Sequence, residues 1–253
     1  MAGSDLPGVI INVQRGGPGL GGIQPSQSDY WQATRATGHG DFFMPVLAPS
    51  TVQEMADCVY RAFDLADEYR TPVMVLADGM LGQMMEPVVL PEPKESLPEK
   101  PWATTGHKGK RAHNIVNSLN IERFERYEVI REKEQRSEAF MLDDAEIVVV
   151  AFGASSRVAR SAVVAAREEG IKVGLLRPIT LWPFPTNAIE DVLSHAKAFL
   201  SVEMNMGQMV DDVRLAVNGR AAVDFYGRTG GVIPTPEEVL SAIKDSAKRG
   251  GVL

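Results

Sequence analysis

A single cysteine, Cys58, in 253 residues excludes an internal disulfide and falls short of the roughly four thiolates that hold an iron–sulfur cluster. Histidine is scarce too. His107, His113 and His195 show no H-x-x-x-H spacing or carboxylate pairing, so no metal is expected on them. No window approaches the roughly 18–20 apolar residues that span a bilayer. The opening "MAGSDLPG" has neither the basic nor the apolar block of a signal peptide. Lysine and arginine number 26 against 33 aspartates and glutamates, a net charge of −7, and they form no basic cluster. Nucleic-acid binding is thereby excluded. Together these absences predict a soluble, cytoplasmic protein of a reducing compartment.

What is present is an ordinary globular composition, 44% hydrophobic and 23% charged, long enough for one large α/β domain or two modest ones. Two α/β blocks flank a polar middle. In the first, "VIINV" (9–13) and "MPVLAP" (44–49) read as strands, the former buried because a β-branched run between Pro and Gly fits a parallel sheet. Residues 50–69 read as a helix capped by Ser50, with Val52, Met55, Val59, Ala62, Phe63 and Ala66 at helical spacing. "TPVMVLAD" (71–78) is the next strand, which completes a crossover unit. Met80, Met84 and Met85 follow it and suit core packing, an apolar pocket or an interface.

Prolines every few residues in "EPVVLPEPKESLPEKP" (86–101) favour an extended connector. "ERFERYEVIREKEQRSEAF" (122–140) then reads as a charged, solvated helix. The second block alternates strands at 146–153, 172–178, 197–205 and 221–227 with helices at 155–170, 186–196, 207–219 and 235–250. Thr235 and Glu238 form a capping box, and Pro236 suits the first helical position. This pattern predicts an open doubly wound domain. The expected organisation is 1–88, 89–142 as connector, and 143–253. The first block reads as incomplete, because its opening strand should be central to a sheet.

Between the first two strands lies "NVQRGGPGLGGIQPSQSDYWQATRATGHGD" (12–41). Gly17, Gly19 and Gly22 satisfy G-x-G-x-x-G after a strand, but the polar, Pro25-containing segment that follows offers no helix N-terminus to a pyrophosphate. Arg15 sits just past the strand's C-terminal end, where open parallel sheets place ligands, and its guanidinium suits a carboxylate or phosphate. Gln24, Ser26, Gln27 and Asp29 add donors and acceptors. His39, between glycines, could titrate near neutrality against a ligand. A solvent-exposed loop with an incidental arginine is the alternative.

The glycine segment, "LAPSTVQEM" (47–55) and "TPVMVLADGMLGQMMEP" (71–87) resemble the α subunit of the 2-oxoacid:ferredoxin oxidoreductases, most closely the 2-ketoisovalerate (3-methyl-2-oxobutanoate) type. "RPITLWPFP" (177–185), "VEMNMGQMVDDVR" (202–214) and "GRTGGVIPTPEEV" (227–239) resemble the family's transketolase C-terminal-like domain. The resemblance covers essentially the whole chain. It implies the C-terminal half of a thiamine-diphosphate pyrimidine-binding domain followed by a transketolase C-terminal-like α/β domain. "MAGSDLP" matches the family's "LAGAELP"-like run, so about the first hundred residues of an α subunit, with the "YPITP"-like motif and the glutamate that activates thiamine, are expected to be missing.

The resemblance further implies oxidative decarboxylation of a 2-oxoacid to acyl-CoA, of the EC 1.2.7 type, on thiamine diphosphate shared with a β subunit. Coenzyme A is the co-substrate. Mg²⁺ and the proximal [4Fe–4S] cluster belong to the β subunit, a γ subunit is a further partner, and electrons pass to ferredoxin. Arg15 matches the position that faces the substrate carboxylate or keto oxygen. Gly16, Gly17 and Gly19 let the loop pass close to the cofactor, and Arg35 is a candidate second cation for 2-oxoglutarate. A branched-chain substrate is expected, because 2-oxoglutarate types commonly carry "GPSTGLPT" where this chain has "GPGLGGIQPS". The chain alone is expected to be inactive. A non-catalytic remnant acting as an assembly partner, and a Rossmann-type nucleotide binder, are the competing readings.

Overall fold

The computed structural model describes residues 1–35, 37–38, 40–93, 96, 100 and 113–253. After a short 3-10 turn at Ala2–Ser4, the first block runs Gly8–Gln14 (β1), Tyr30–Thr34 (α1), Val46–Leu47 (β2), Val52–Tyr69 (α2), Pro72–Asp78 (β3) and Gly79–Gln83 (α3). His113–Lys133 (α4) and Ser137–Phe140 (β4) lead into Ile147–Val150 (β5), Gly153–Glu168 (α5), Val173–Pro178 (β6), Thr180–Trp182 (β7), Thr186–Val192 (α6), Ala198–Glu203 (β8), Met209–Val217 (α7), Ala222–Gly227 (β9) and Pro236–Arg249 (α8).

Two sheets result. The first has the order β1-β3-β2-β7, with β3 parallel to both β1 and β2. Its last strand, β7, comes from the second block and runs antiparallel to β2. The second sheet has the order β4-β6-β5-β8-β9, parallel except for β4. One of its faces packs on α5 and α8 through Ala159, Ala162, Val163, Val239 and Ile243. The other packs on α6 and α7 through Ile189, Val192, Met209 and Val213, in a core continuous with that of the first sheet. The chain is α/β as expected, and α8 carries the Thr235–Glu238 capping box with Pro236 at its start.

Several expectations are corrected. β1 is an edge strand, not a buried central one: among the described residues only β3 pairs with it, and Ile11 and Val13 stand about half exposed. The expected strand over 44–49 shrinks to two residues, because Pro45 and Pro49 flank it and neither can donate to a ladder. Thr51, not Ser50, caps α2 by accepting the Glu54 amide (3.0 Å), while the Ser50 amide and hydroxyl both donate to the Glu54 carboxylate. The α2 core stripe is Cys58, Ala62, Leu65, Ala66 and Tyr69, which leaves Phe63 exposed. Met85 is exposed rather than packed.

The largest correction concerns residues 122–140. This segment is not one solvated helix. It breaks after Lys133, and Ser137–Phe140 becomes the antiparallel edge of the second sheet. Phe124, Tyr127 and Ile130 recur every three residues on one face of α4, and Tyr127 and Ile130 are buried. Phe43 stacks on Trp182 with centroids 4.9 Å apart and meets Tyr127 edge-on. Such aromatic pairs contribute about 0.5–1.5 kcal/mol each beyond area burial. Arg123, also buried, donates to Asp5 at 3.0 Å, and Arg126 joins it at 2.7 Å.

Candidate active site

The glycine loop is closed at its neck. Arg15 and Pro25 form an isolated bridge, and the Gly16 amide donates to the Gln24 carbonyl at 2.7 Å. No helix follows until the five residues of α1, so the G-x-G-x-x-G spacing serves a loop and not a dinucleotide turn. The loop stands at the C-terminal end of β1, beside that of the parallel strand β3, the position at which open α/β sheets bind ligands. The turn after β8, residues 204–208, meets it there. Between them lies a cavity of about 490 Å³ lined by Arg15, Gly16, Gly17, Pro18, Gly19, Ser28 and Asp29 from the first block, and Asn205, Met206, Gln208 and Thr229 from the second.

The Arg15 side chain is exposed and curls over its own loop, donating to the carbonyls of Gly16 and Gly19, both at 2.9 Å. Among the described residues no carboxylate pairs with it, so its charge is available to an anion. Asp29 is fixed from β1: its carboxylate accepts from Asn12 Nδ2 (3.1 Å), and its amide donates to Gln14 Oε1 (2.9 Å). Ser26 is buried and bonds Ser28 and the Met204 carbonyl. Gln24 contributes its carbonyl to the neck and is not among the residues lining the cavity.

Gln27 is fully buried and joins the two blocks. Its Nε2 donates to the Phe152 carbonyl (2.8 Å), and its Oε1 accepts from Ser155 Oγ and the Met204 amide (3.0 Å each). Its backbone carbonyl accepts from Asn205 Nδ2 (2.8 Å). Arg35 lies away from the cavity and pairs with Asp212 at 2.9 Å. The Tyr30 hydroxyl donates to that same carboxylate at 2.6 Å; burial and then Asp212 push the phenol well above its ordinary range. His39 lies outside the described residues.

Sequence reasoning missed the second block's share. Glu203, the last residue of β8, is fully buried and accepts from Ser201 Oγ, Asn205 Nδ2 and the amides of Gln208, Met209 and Val210. It thus caps α7 and shapes the 204–208 turn. The signal was available: "VEMNMGQ" is a polar cluster at a strand's C-terminal end, the same placement that singled out Arg15. Asp78 was missed as well. It ends β3, accepts from the Met80 and Leu81 amides, and reaches across to the Ala154 amide at 3.0 Å. Burial raises its pKa, and those three amides oppose the rise.

Two other cavities carry weaker chemistry. A cleft of about 740 Å³ contains Arg157, Arg160 and Arg177, each paired with Glu86, Glu138 or Glu54. A smaller pocket of about 210 Å³ holds Cys58, whose thiol burial, with Glu54 and Asp57, pushes up to about 12. A nucleophile needs the opposite shift.

Comparison with known proteins identifies the family. Residues 1–148 match the family model "Pyruvate flavodoxin/ferredoxin oxidoreductase, thiamine diP-bdg", and residues 145–239 match "Pyruvate:ferredoxin oxidoreductase core domain II". The chain belongs to the pyruvate flavodoxin/ferredoxin oxidoreductase family. Among members of this oxidoreductase family, the ketoisovalerate oxidoreductase subunit VorB of Methanothermobacter thermautotrophicus is 48% identical over 258 residues, covering 98% of this chain and 73% of the relative. The 2-oxoglutarate synthase subunit KorA of the same organism is 35% identical, covering 95% and 73%. A 2-oxoglutarate:ferredoxin oxidoreductase from Magnetococcus marinus, solved with 2-oxoglutarate, coenzyme A and succinyl-CoA bound, superposes with a TM-score of 0.78 at 23% identity. It shares the fold, over 96% of this chain and 49% of that one, so the chain spans about half of that protein. A transketolase from Pichia stipitis superposes at a TM-score of 0.51.

The first domain of this oxidoreductase family is named for thiamine diphosphate, and the donor set fits only part of such a site. A guanidinium, carboxamides and a glycine backbone suit an acid and its carbonyl. Among the described residues no group of three His, Cys, Asp or Glu could hold the cation that accompanies a diphosphate. The donors that line the cavity thus match a carboxylate or carbonyl better than a diphosphate with its cation. Among the described residues, too, no helix is long and apolar enough to cross a membrane.

Proposed function

We propose that the chain is the α subunit of a cytoplasmic 2-oxoacid:ferredoxin oxidoreductase, and that its glycine loop forms the wall receiving the carboxylate of a branched-chain 2-oxoacid. The observation that carries this reading is Arg15: an exposed guanidinium with no acidic partner among the described residues, at the strand-end cavity where the two blocks meet. Its two bonds to loop carbonyls are neutral ones, which a carboxylate replaces with stronger, charge-assisted contacts. Membership in the family supports the reaction class.

Preference for a branched-chain acid rests on charge. Among the described residues that line the cavity Arg15 is the only cation, and Asp29 lines it too. Arg35, the candidate for a second carboxylate, is engaged with Asp212. The 48% identity to a ketoisovalerate oxidoreductase subunit, against 35% to a 2-oxoglutarate synthase subunit, supports the same choice.

In this reading thiamine diphosphate supplies the electron sink for decarboxylation. It is held with Mg²⁺ mainly by a β subunit, which also carries a [4Fe–4S] cluster. A γ subunit, coenzyme A and ferredoxin complete the system. Gly16, Gly17 and Gly19 let the wall approach the substrate, while Ser26, Gln27 and Asp29 hold it in place.

The test is steady-state kinetics of the assembled enzyme carrying Arg15→Ala. Loss of one charge-assisted contact should lower kcat/KM for 3-methyl-2-oxobutanoate by about 2–4 kcal/mol in transition-state terms. Arg15→Lys should recover part of it, since a point charge replaces a fork. Unchanged kcat/KM in both would sink the role given to Arg15. The isolated chain should reduce no viologen with any 2-oxoacid.

A further inference from the structure

We propose that Met206, supplied by the second domain, receives the substrate's alkyl chain and so determines which 2-oxoacid is accepted; the proposal rests on the carboxylate role of Arg15. Met206 is 72% exposed, and a lone exposed apolar residue needs no explanation in itself. What sets this one apart is its mounting. The Met204 amide and carbonyl both bond Gln27, at 3.0 and 2.9 Å. Asn205 is buried, with Nδ2 bonded to the Gln27 carbonyl and to Glu203, and its Oδ1 accepts the Gly207 amide at 2.7 Å. The Gln208 amide donates to Glu203. Every neighbour of Met206 along the chain is tied down, and Met206 itself projects into the space shared with Arg15.

Gly207, at φ +101°, turns the chain away directly afterwards. A residue with a side chain rarely adopts that conformation, so the turn is built to present the residue before it. The chemistry of the cavity then divides. Arg15 offers a charge for a carboxylate. Met206 and Pro18 are the apolar side chains of the lining, which is otherwise polar or glycine. A 2-oxo monocarboxylate with a short alkyl tail matches this division end for end. A dicarboxylate would bring its second charge to a thioether, with Asp29 nearby. Methionine's flexible, polarizable side chain also suits tails that differ in branching.

The experiment uses the assembled holoenzyme carrying Met206→Ala, Met206→Leu or Met206→Lys, with kcat/KM measured for 3-methyl-2-oxobutanoate, pyruvate and 2-oxoglutarate. Removing the thioether should cost the branched substrate about tenfold or more, and pyruvate less than about threefold, the scale set by lost methylenes in a pocket. Leucine should restore the wild-type ratio. Lysine should raise 2-oxoglutarate relative to 3-methyl-2-oxobutanoate by at least about tenfold, by giving the second carboxylate a cation. Equal changes for all three substrates, or none, would overturn the assignment. Arg15→Ala separates this outcome from failure of the underlying reading. If it depresses all three substrates while the Met206 series is flat, only Met206 is misassigned. If Arg15→Ala has no effect, or the wild type turns over no 2-oxoacid, both fall.

Discussion

At the scale of single residues, the joint between the two blocks depends on an absent side chain. Gly153 opens α5 at φ +55°, and a Cβ there would lie 3.0 Å from both Asp78 Oδ2 and Gln27 Nε2. Those are the two polar side chains that tie the first block to the start of α5. Gly153→Ala would therefore combine a left-handed backbone, about 1–2 kcal/mol, with displacement of two buried hydrogen-bonded groups. We expect a loss of about 2–4 kcal/mol, read as a fall of roughly 4–16 °C in thermal midpoint for a chain of this size. An unchanged midpoint would show that the joint relaxes without cost. Arg15 illustrates the contrasting case, an exposed residue whose side chain bonds two carbonyls of its own loop and spans no joint.

At the scale of elements, α7 begins on a buried carboxylate. Glu203 accepts five donors, three of them amides at the helix start, where an anion also meets the positive end of the helix dipole. Glu203→Gln keeps the shape but turns one acceptor oxygen into a donor facing donors. The expected cost is about 2–5 kcal/mol. Hydrogen exchange offers the check: the amides of Gln208, Met209 and Val210 should lose protection before those of β8. Equal protection in the variant would mean that the helix start is held by something else.

Most elements of the second block were legible because its central strands carry apolar runs and its helices have their period. The strand-end position of Arg15 was legible for a similar reason, since it is a local property. Three features were not. The stripe Phe124–Tyr127–Ile130 is masked by charges at most other positions of the C-terminal part of α4, from 122 to 133. The strand Thr180–Trp182 is three residues long and sits between prolines, where sequence reads as turn. The partnership of Arg15 with Asn205, Met206 and Gln208 depends on how two distant strand ends meet, which no local pattern encodes.

At the scale of the whole molecule, the blocks are also joined by charge. Arg177 on β6 is buried and binds Glu54 of α2 through two bonds, at 2.8 and 2.9 Å, while its Nε donates to Glu138 of β4 at 2.7 Å. Burial alone would raise the Glu54 pKa, but the Arg177 and Ser50 bonds win and hold it below the ordinary 4.5. A depressed folded pKa means that this contribution is complete above pH 4.5 and fades as pH falls through the lower folded value. Glu54→Gln should cost about 1–3 kcal/mol at pH 7 and flatten the acid limb of stability. Urea midpoints at pH 7 and pH 4 test both halves. A variant that loses stability in parallel with the wild type across that range would rule out Glu54 as the source.

The antiparallel pairing of β7 with β2 bears on how the chain can be made. Translation runs from the N-terminal side, so the ribosome releases β1, α2 and β3 well before the segment that adds β7 to their sheet. Until Thr180–Trp182 emerges, the ladder edge of Val46–Leu47 has no partner, and the ring of Phe43 lacks the indole it stacks on. The nascent first block therefore presents that edge until all of β4–β6 has been synthesised. The β2–β7 pairing can form only once the second block is being made.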